Sequence, residues 1–109
     1  MLDPILYNLT IKIENASETN FLKSVEELFF HEVINQGIIK EIQLNRIILE
    51  EQDGDSTYAI HFVFPNKELF EKEKLTVLGL FLNLMDKEFK GKYVYFGTMM
   101  EVVHCYSKT

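Results

Sequence analysis

The first readable pattern along the chain is an alternation. Ile5, Tyr7, Leu9, Ile11 and Ile13 alternate with Leu6, Asn8, Thr10, Lys12 and Glu14. A period of two predicts a strand with one face on a core. Asn15-Ala16-Ser17 interrupts the pattern, with Ser17 placed to cap a helix and Glu18 suited to its first turn. Phe21, Leu22, Val25, Leu28, Phe29 and Val33 then recur at helical spacing as one apolar stripe. Gly37 stands where a helix end takes a left-handed residue. The isoleucine-rich run 38–51 predicts a long second strand with Ile38, Ile42, Leu44 and Ile48 facing inward. Asp53-Gly54-Asp55 predicts a hairpin turn, and the returning strand puts Tyr58, Ile60, Phe62 and Phe64 on one face. Pro65 ends it, Asn66 is placed to cap a second helix running to about Phe89, and after Gly91 residues 92–103 form the last strand.

The order strand–helix–strand–strand–helix–strand implies an α+β, ferredoxin-like βαββαβ fold: one domain over residues 1–109, with a four-stranded antiparallel sheet and two helices on one face. Two surfaces are then left over. The helix-free sheet face carries Leu6, Asn8 and Thr10, then Gln43, Asn45, Ile47 and Leu49, then Ala59, His61 and Val63. Such a half-apolar face predicts packing on a copy of itself, a homodimer in the manner of a dimeric α+β barrel. The second helix, 66–89, is apolar over more than half its circumference, which predicts an apolar ligand or a protein partner there.

Composition narrows the partners. With 109 residues, 47% apolar and 13% aromatic, the chain suits a globular domain with its own core. A net charge of −6 opposes binding to nucleic acid or to an anionic membrane surface. The longest apolar-rich run, 75–85, is too short to span a bilayer. The start carries no pattern of a secretory leader, and Cys105 is the lone cysteine, so an internal disulfide is excluded and a cytoplasmic setting is expected.

Candidate chemistry is sparse. Glu32 falls on the apolar stripe of the first helix and Arg46 on an inward position of the second strand. Together they predict either a structural buried ion pair or polar groups at the rim of a pocket between helix and sheet. His61 faces the expected dimer interior, as a hydrogen-bonded core residue or a proton carrier. Glu32, Arg46 and His61 are therefore the ligand-binding candidates. His31, His61 and His104 are too scattered for metal-ligand spacing, and no glycine-rich phosphate loop or flavin fingerprint occurs, so no metal and no cofactor are expected. The run 90–96 superficially resembles an RNA-binding aromatic signature, but it enters the fourth strand, not the third, and the acidic balance opposes it.

Tyr7-Asn8-Leu9-Thr10, Gly37, the run from Leu44 to Glu51, Thr57-Tyr58-Ala59-Ile60, Phe96-Gly97-Thr98 and Glu101-Val102 resemble the bacterial domain-of-unknown-function 4286 family over nearly the whole chain. The resemblance implies a short cytoplasmic protein with no assigned activity, built like the dimeric α+β barrels that include small monooxygenases and ligand-binding proteins. The leading expectation is a homodimeric interaction or structural domain. Its rival is a cofactor-free binder or enzyme of the monooxygenase-like type. Three departures stand out against the family pattern: Phe29 where relatives have a histidine, Gly97 where an arginine is common, and a less charged second helix.

Overall fold

In the computed structural model, residues 4–37, 39–49 and 53–106 are described. The alternating run forms β1 (Ile5–Glu14), and the two strands of the predicted hairpin are β2 (Glu41–Arg46) and β3 (Asp55–Phe64). The last strand is β4 (Tyr93–Glu101), and the sheet order is β2-β3-β1-β4, antiparallel throughout. The first helical stretch is α1 (Glu18–Ser24), a π-helical segment (Val25–Phe30) and α2 (His31–Asn35), and the second is α3 (Lys67–Glu88). This is the expected ferredoxin-like layout.

The core lies between the helices and one sheet face. Ile5, Leu9, Ile11 and Ile13 of β1 and Tyr58, Ile60, Phe62 and Phe64 of β3 are buried there, with Ile42 and Leu44 of β2 half-buried beside them. Aromatic rings tie the layers together: Phe29 meets Phe62 at 5.9 Å and Phe81 at 5.4 Å, and Phe64 meets Phe70 at 5.2 Å. Edge-to-face pairs of this kind add to the burial of large apolar surface.

Three local features differ from expectation. Ser17 makes no capping bond; a short 3₁₀ turn (Asn15–Ser17) starts the helix, and the Ser17 hydroxyl donates to Glu14 at 2.9 Å. Asn66 does cap α3, its Oδ1 accepting from the Leu69 N–H at 2.9 Å. The second strand is shorter than 38–51: pairing ends at Arg46, followed by one more bond from Ile47 N–H to Thr57 O at 2.9 Å. Ile48, expected inward, is 90% exposed. Positions 38, 50 and 51 of the expected strand lie outside the described residues.

The third difference is the π segment. The buried residues Phe21, Val25, Phe29 and Val33 stand four apart. In an unbroken α-helix each such step drifts about 40° around the axis, about 120° in all. A π turn holds more residues, so each one rotates less and the drift is cancelled. The four side chains stay on one line over the sheet. The same change of phase swings Leu28 and Glu32 off the core, and both are exposed.

The apolar excess of α3 is largely absorbed by the chain itself. Phe70, Val77, Phe81 and Met85 are buried, and Leu78, Leu80, Leu82 and Leu84 are half-buried against the same core. Leu75 is the widely exposed exception on this helix, at 74%.

Candidate functional site

Two places carry the chemistry, one on each face of the sheet. The first is a polar cleft where the β2–β3 hairpin meets the start of the first helix. β2 and β3 pair so that Arg46 lies opposite Tyr58. The antiparallel register puts both side chains on the helix side, where the guanidinium sits 5.6 Å from the Tyr58 ring centroid. Arg46 donates twice to the Tyr58 hydroxyl, from Nε at 3.3 Å and Nη2 at 3.1 Å. That hydroxyl in turn donates to Glu18 Oε2 at 2.5 Å. Tyr58 thus bridges a guanidinium and a carboxylate that are not themselves in contact.

The electrostatics follow from these bonds. The hydrogen bond from Tyr58, with Arg46 nearby, holds the Glu18 carboxyl below the usual carboxylate range. Burial and the bond to Glu18 push the Tyr58 phenol up, so it stays protonated at neutral pH. The bond to Tyr58 raises Arg46 further. The arrangement is an ionised carboxylate, a neutral phenol that holds its proton more firmly than usual, and a fixed cation. Asn15, Glu18, Arg46, Ile47, Leu49, Asp55, Ser56 and Thr57 line an open cleft of about 470 Å³ around this chain of bonds.

Of the three candidates read from sequence, only Arg46 is in this cleft. Glu32 is exposed in α2, three turns and more along the helix from Glu18. Among the described residues Glu32 forms no ion pair, so the expected Glu32–Arg46 pair is replaced by Glu18 acting through Tyr58. His61 is on the opposite face of the sheet from Tyr58. The carboxylate that matters was readable only as a first-turn acid, and the phenol only as a core aromatic.

The second place is the helix-free face. Register lines up Gln43, His61, Asn8 and Thr98 as one polar row across all four strands. Apolar residues flank it: Val63, Leu6 and Met100 on one side, Ala59 and Phe96 with Thr10 on the other. Asn8 Nδ2 donates to Thr10 Oγ1 at 2.8 Å, while Asn8 Oδ1 is buried without a hydrogen-bond partner. A buried acceptor without a donor is costly, about 1–3 kcal/mol. On β4 this face exposes Val94 at 66%, Phe96 at 61% and Met100 at 37%.

Smaller features complete the picture. On β4, Tyr7 of β1 lies where a side chain at position 97 would stand: a Cβ on Gly97 would overlap the hydroxyl and come within 2.8 Å of Cζ. The departure from the family pattern at Gly97 therefore has a packing reason, an aromatic ring covering a strand glycine. Tyr93 donates to Asp86 at 2.8 Å, and burial with that bond pushes its phenol up to about 12. Cys105 is exposed, and no group of three or more potential metal ligands occurs among the described residues.

The family model for a domain of unknown function, DUF4286, matches residues 4–103. The chain belongs to the DUF4286 family. No curated protein matches it significantly. Solved structures show the same fold in other settings. HapK from Hahella chejuensis aligns over 97% of this chain and 99% of its own, with a TM-score of 0.67 and 8% identity. A dimeric ferredoxin-like protein from an uncultured marine organism aligns over 95% of this chain and 99% of its own, with a TM-score of 0.63 and 18% identity. SnoaB, a cofactor-independent oxygenase from Streptomyces nogalater, aligns over 97% and 99% with a TM-score of 0.59 and 14% identity. At such identities the likeness concerns the DUF4286 chain's fold, and no helix in its described residues is long and apolar enough to cross a membrane.

Proposed function

We propose that this DUF4286 member is a homodimeric interaction domain whose two copies pair through the helix-free sheet face. The observation that carries the reading is the apolar surface left exposed on that face, with Val94 and Phe96 on one side of the polar row and Met100 beside Leu6 and Val63 on the other. Large apolar side chains left exposed together on one face mark association. A two-fold pairing makes one self-complementary patch serve both partners. The marine ferredoxin-like protein, described as dimeric, supports a two-copy assembly of this fold.

In this reading His61 is a hydrogen-bonding residue of the interface. The SnoaB likeness brings a fold and not a reaction. Native mass spectrometry and sedimentation of the purified protein test the proposal: a two-subunit species at low micromolar concentration is expected, and a strict monomer at roughly 100 µM removes it.

A further inference from the structure

We infer that the cleft around Arg46 binds a small amino-carboxylate zwitterion with an aliphatic side chain. The Arg46 guanidinium is pinned from one side by two bonds to the Tyr58 hydroxyl. Those bonds use Nε and Nη2, and among the described residues Nη1 has no partner, so the guanidinium plane is oriented by Tyr58. A guanidinium held in this way is suited to bidentate capture of a carboxylate. Two carboxylates, Glu18 and Asp55, line the same cleft. A simple anion would meet both of them, and a simple ammonium would meet Arg46. A molecule carrying both charges places its carboxylate on Arg46 and its ammonium toward Glu18.

The rest of the wall sets the side chain. Ile47 and Leu49 are 38% and 48% exposed at the cleft. They offer an apolar surface that a short aliphatic group would cover. The volume of about 470 Å³ falls within the range of roughly 300–1,000 Å³ usual for small-molecule sites. Arg46 and Tyr58 face the helix side of the sheet and Ile47 alternates to the other side, so the cleft wraps the end of β2 and its apolar wall borders the face proposed to pair.

Calorimetric titration of the full chain with L-leucine, 4-methylpentanoate, 3-methylbutylamine and inorganic phosphate tests it. Saturable binding of leucine is expected, with each of the other three at least about tenfold weaker. Arg46→Lys should weaken leucine at least about tenfold in a protein that still folds, as circular dichroism checks, because lysine cannot supply the planar fork. Glu18→Gln should weaken leucine while leaving 4-methylpentanoate unchanged. Binding of 4-methylpentanoate or phosphate as tight as leucine would overturn the proposal in favour of a plain anion site. So would the lack of saturable leucine binding up to roughly 10 mM, or an Arg46→Lys protein that binds leucine normally.

Discussion

The two edge strands of the sheet have opposite characters. β2 is six residues long and carries Glu41, Gln43, Asn45 and Arg46, with its last residue fastened to Tyr58. β4 is nine residues long, exposed along nearly its whole length, and uncharged from Tyr93 to Met100. Edge strands present unpaired N–H and C=O groups, and short length or charge keeps other chains away. β2 uses both devices and β4 uses neither. One edge carries charge beside a small cleft, and the other brings exposed apolar side chains onto the helix-free face. The surplus apolar surface of the molecule therefore belongs to the sheet and not, as the composition of α3 implies, mainly to the helix.

The strongest way to break this contrast is to make β4 resemble β2. Phe96→Lys places a charge midway along β4 on the exposed face and should raise the dimer dissociation constant by about 100-fold or more. Glu41→Lys, on the same face but at the already charged β2 edge, should raise it far less, by about tenfold or less. Sedimentation equilibrium measures both, and equal effects would end the distinction between the edges. Next in size is Gly97→Ala, whose new methyl meets the Tyr7 ring; a loss of about 1–3 kcal/mol is expected in chemical denaturation. The loss should shrink in a Tyr7→Leu background, since the clash belongs to that pair.

On the β2 side, Tyr58→Phe removes the hydroxyl that joins Arg46 to Glu18. Its cost should be about 1–2 kcal/mol, near the lower end for charged hydrogen bonds because both partners are partly in water. No change in the urea midpoint would show the bridge to be idle. The smallest effects are the pH limbs. Folding lowers the Glu18 pKa, so its contribution is complete above the usual carboxylate range and is lost as pH falls through the folded value. Glu18→Gln should flatten the acid limb of the stability curve. Folding raises Tyr93 to about 12, so its contribution is complete below the ordinary tyrosine range and is lost as pH rises through that value. Absorbance titration should show a late phenol ionisation that Tyr93→Phe deletes.

Much of the fold was legible because periodicity is a local property. The alternation from Ile5 to Ile13, the inward set Tyr58, Ile60, Phe62 and Phe64, the Asn66 cap and the left-handed Gly37, with φ 72°, all appear where their residues place them. The candidate site was legible only in part. Arg46 could be recognised as a cation on an inward strand position. Its partners could not, because Glu18 and Tyr58 stand 40 residues apart and meet only once helix and sheet are packed. Glu32 was misplaced for a different reason: a wheel of constant pitch cannot represent the wider turn at Val25–Phe30.

By itself, then, the sequence determined the order of strands and helices, which strand faces are apolar, and the lack of a protective charge on β4 before Glu101. These follow from the spacing of side chains along a regular backbone. Tertiary structure decided the rest: which carboxylate reaches Tyr58, which ring fills the space over Gly97, and how Gln43, His61, Asn8 and Thr98 form one row. Each depends on register between distant segments, and register is fixed only when the whole core closes.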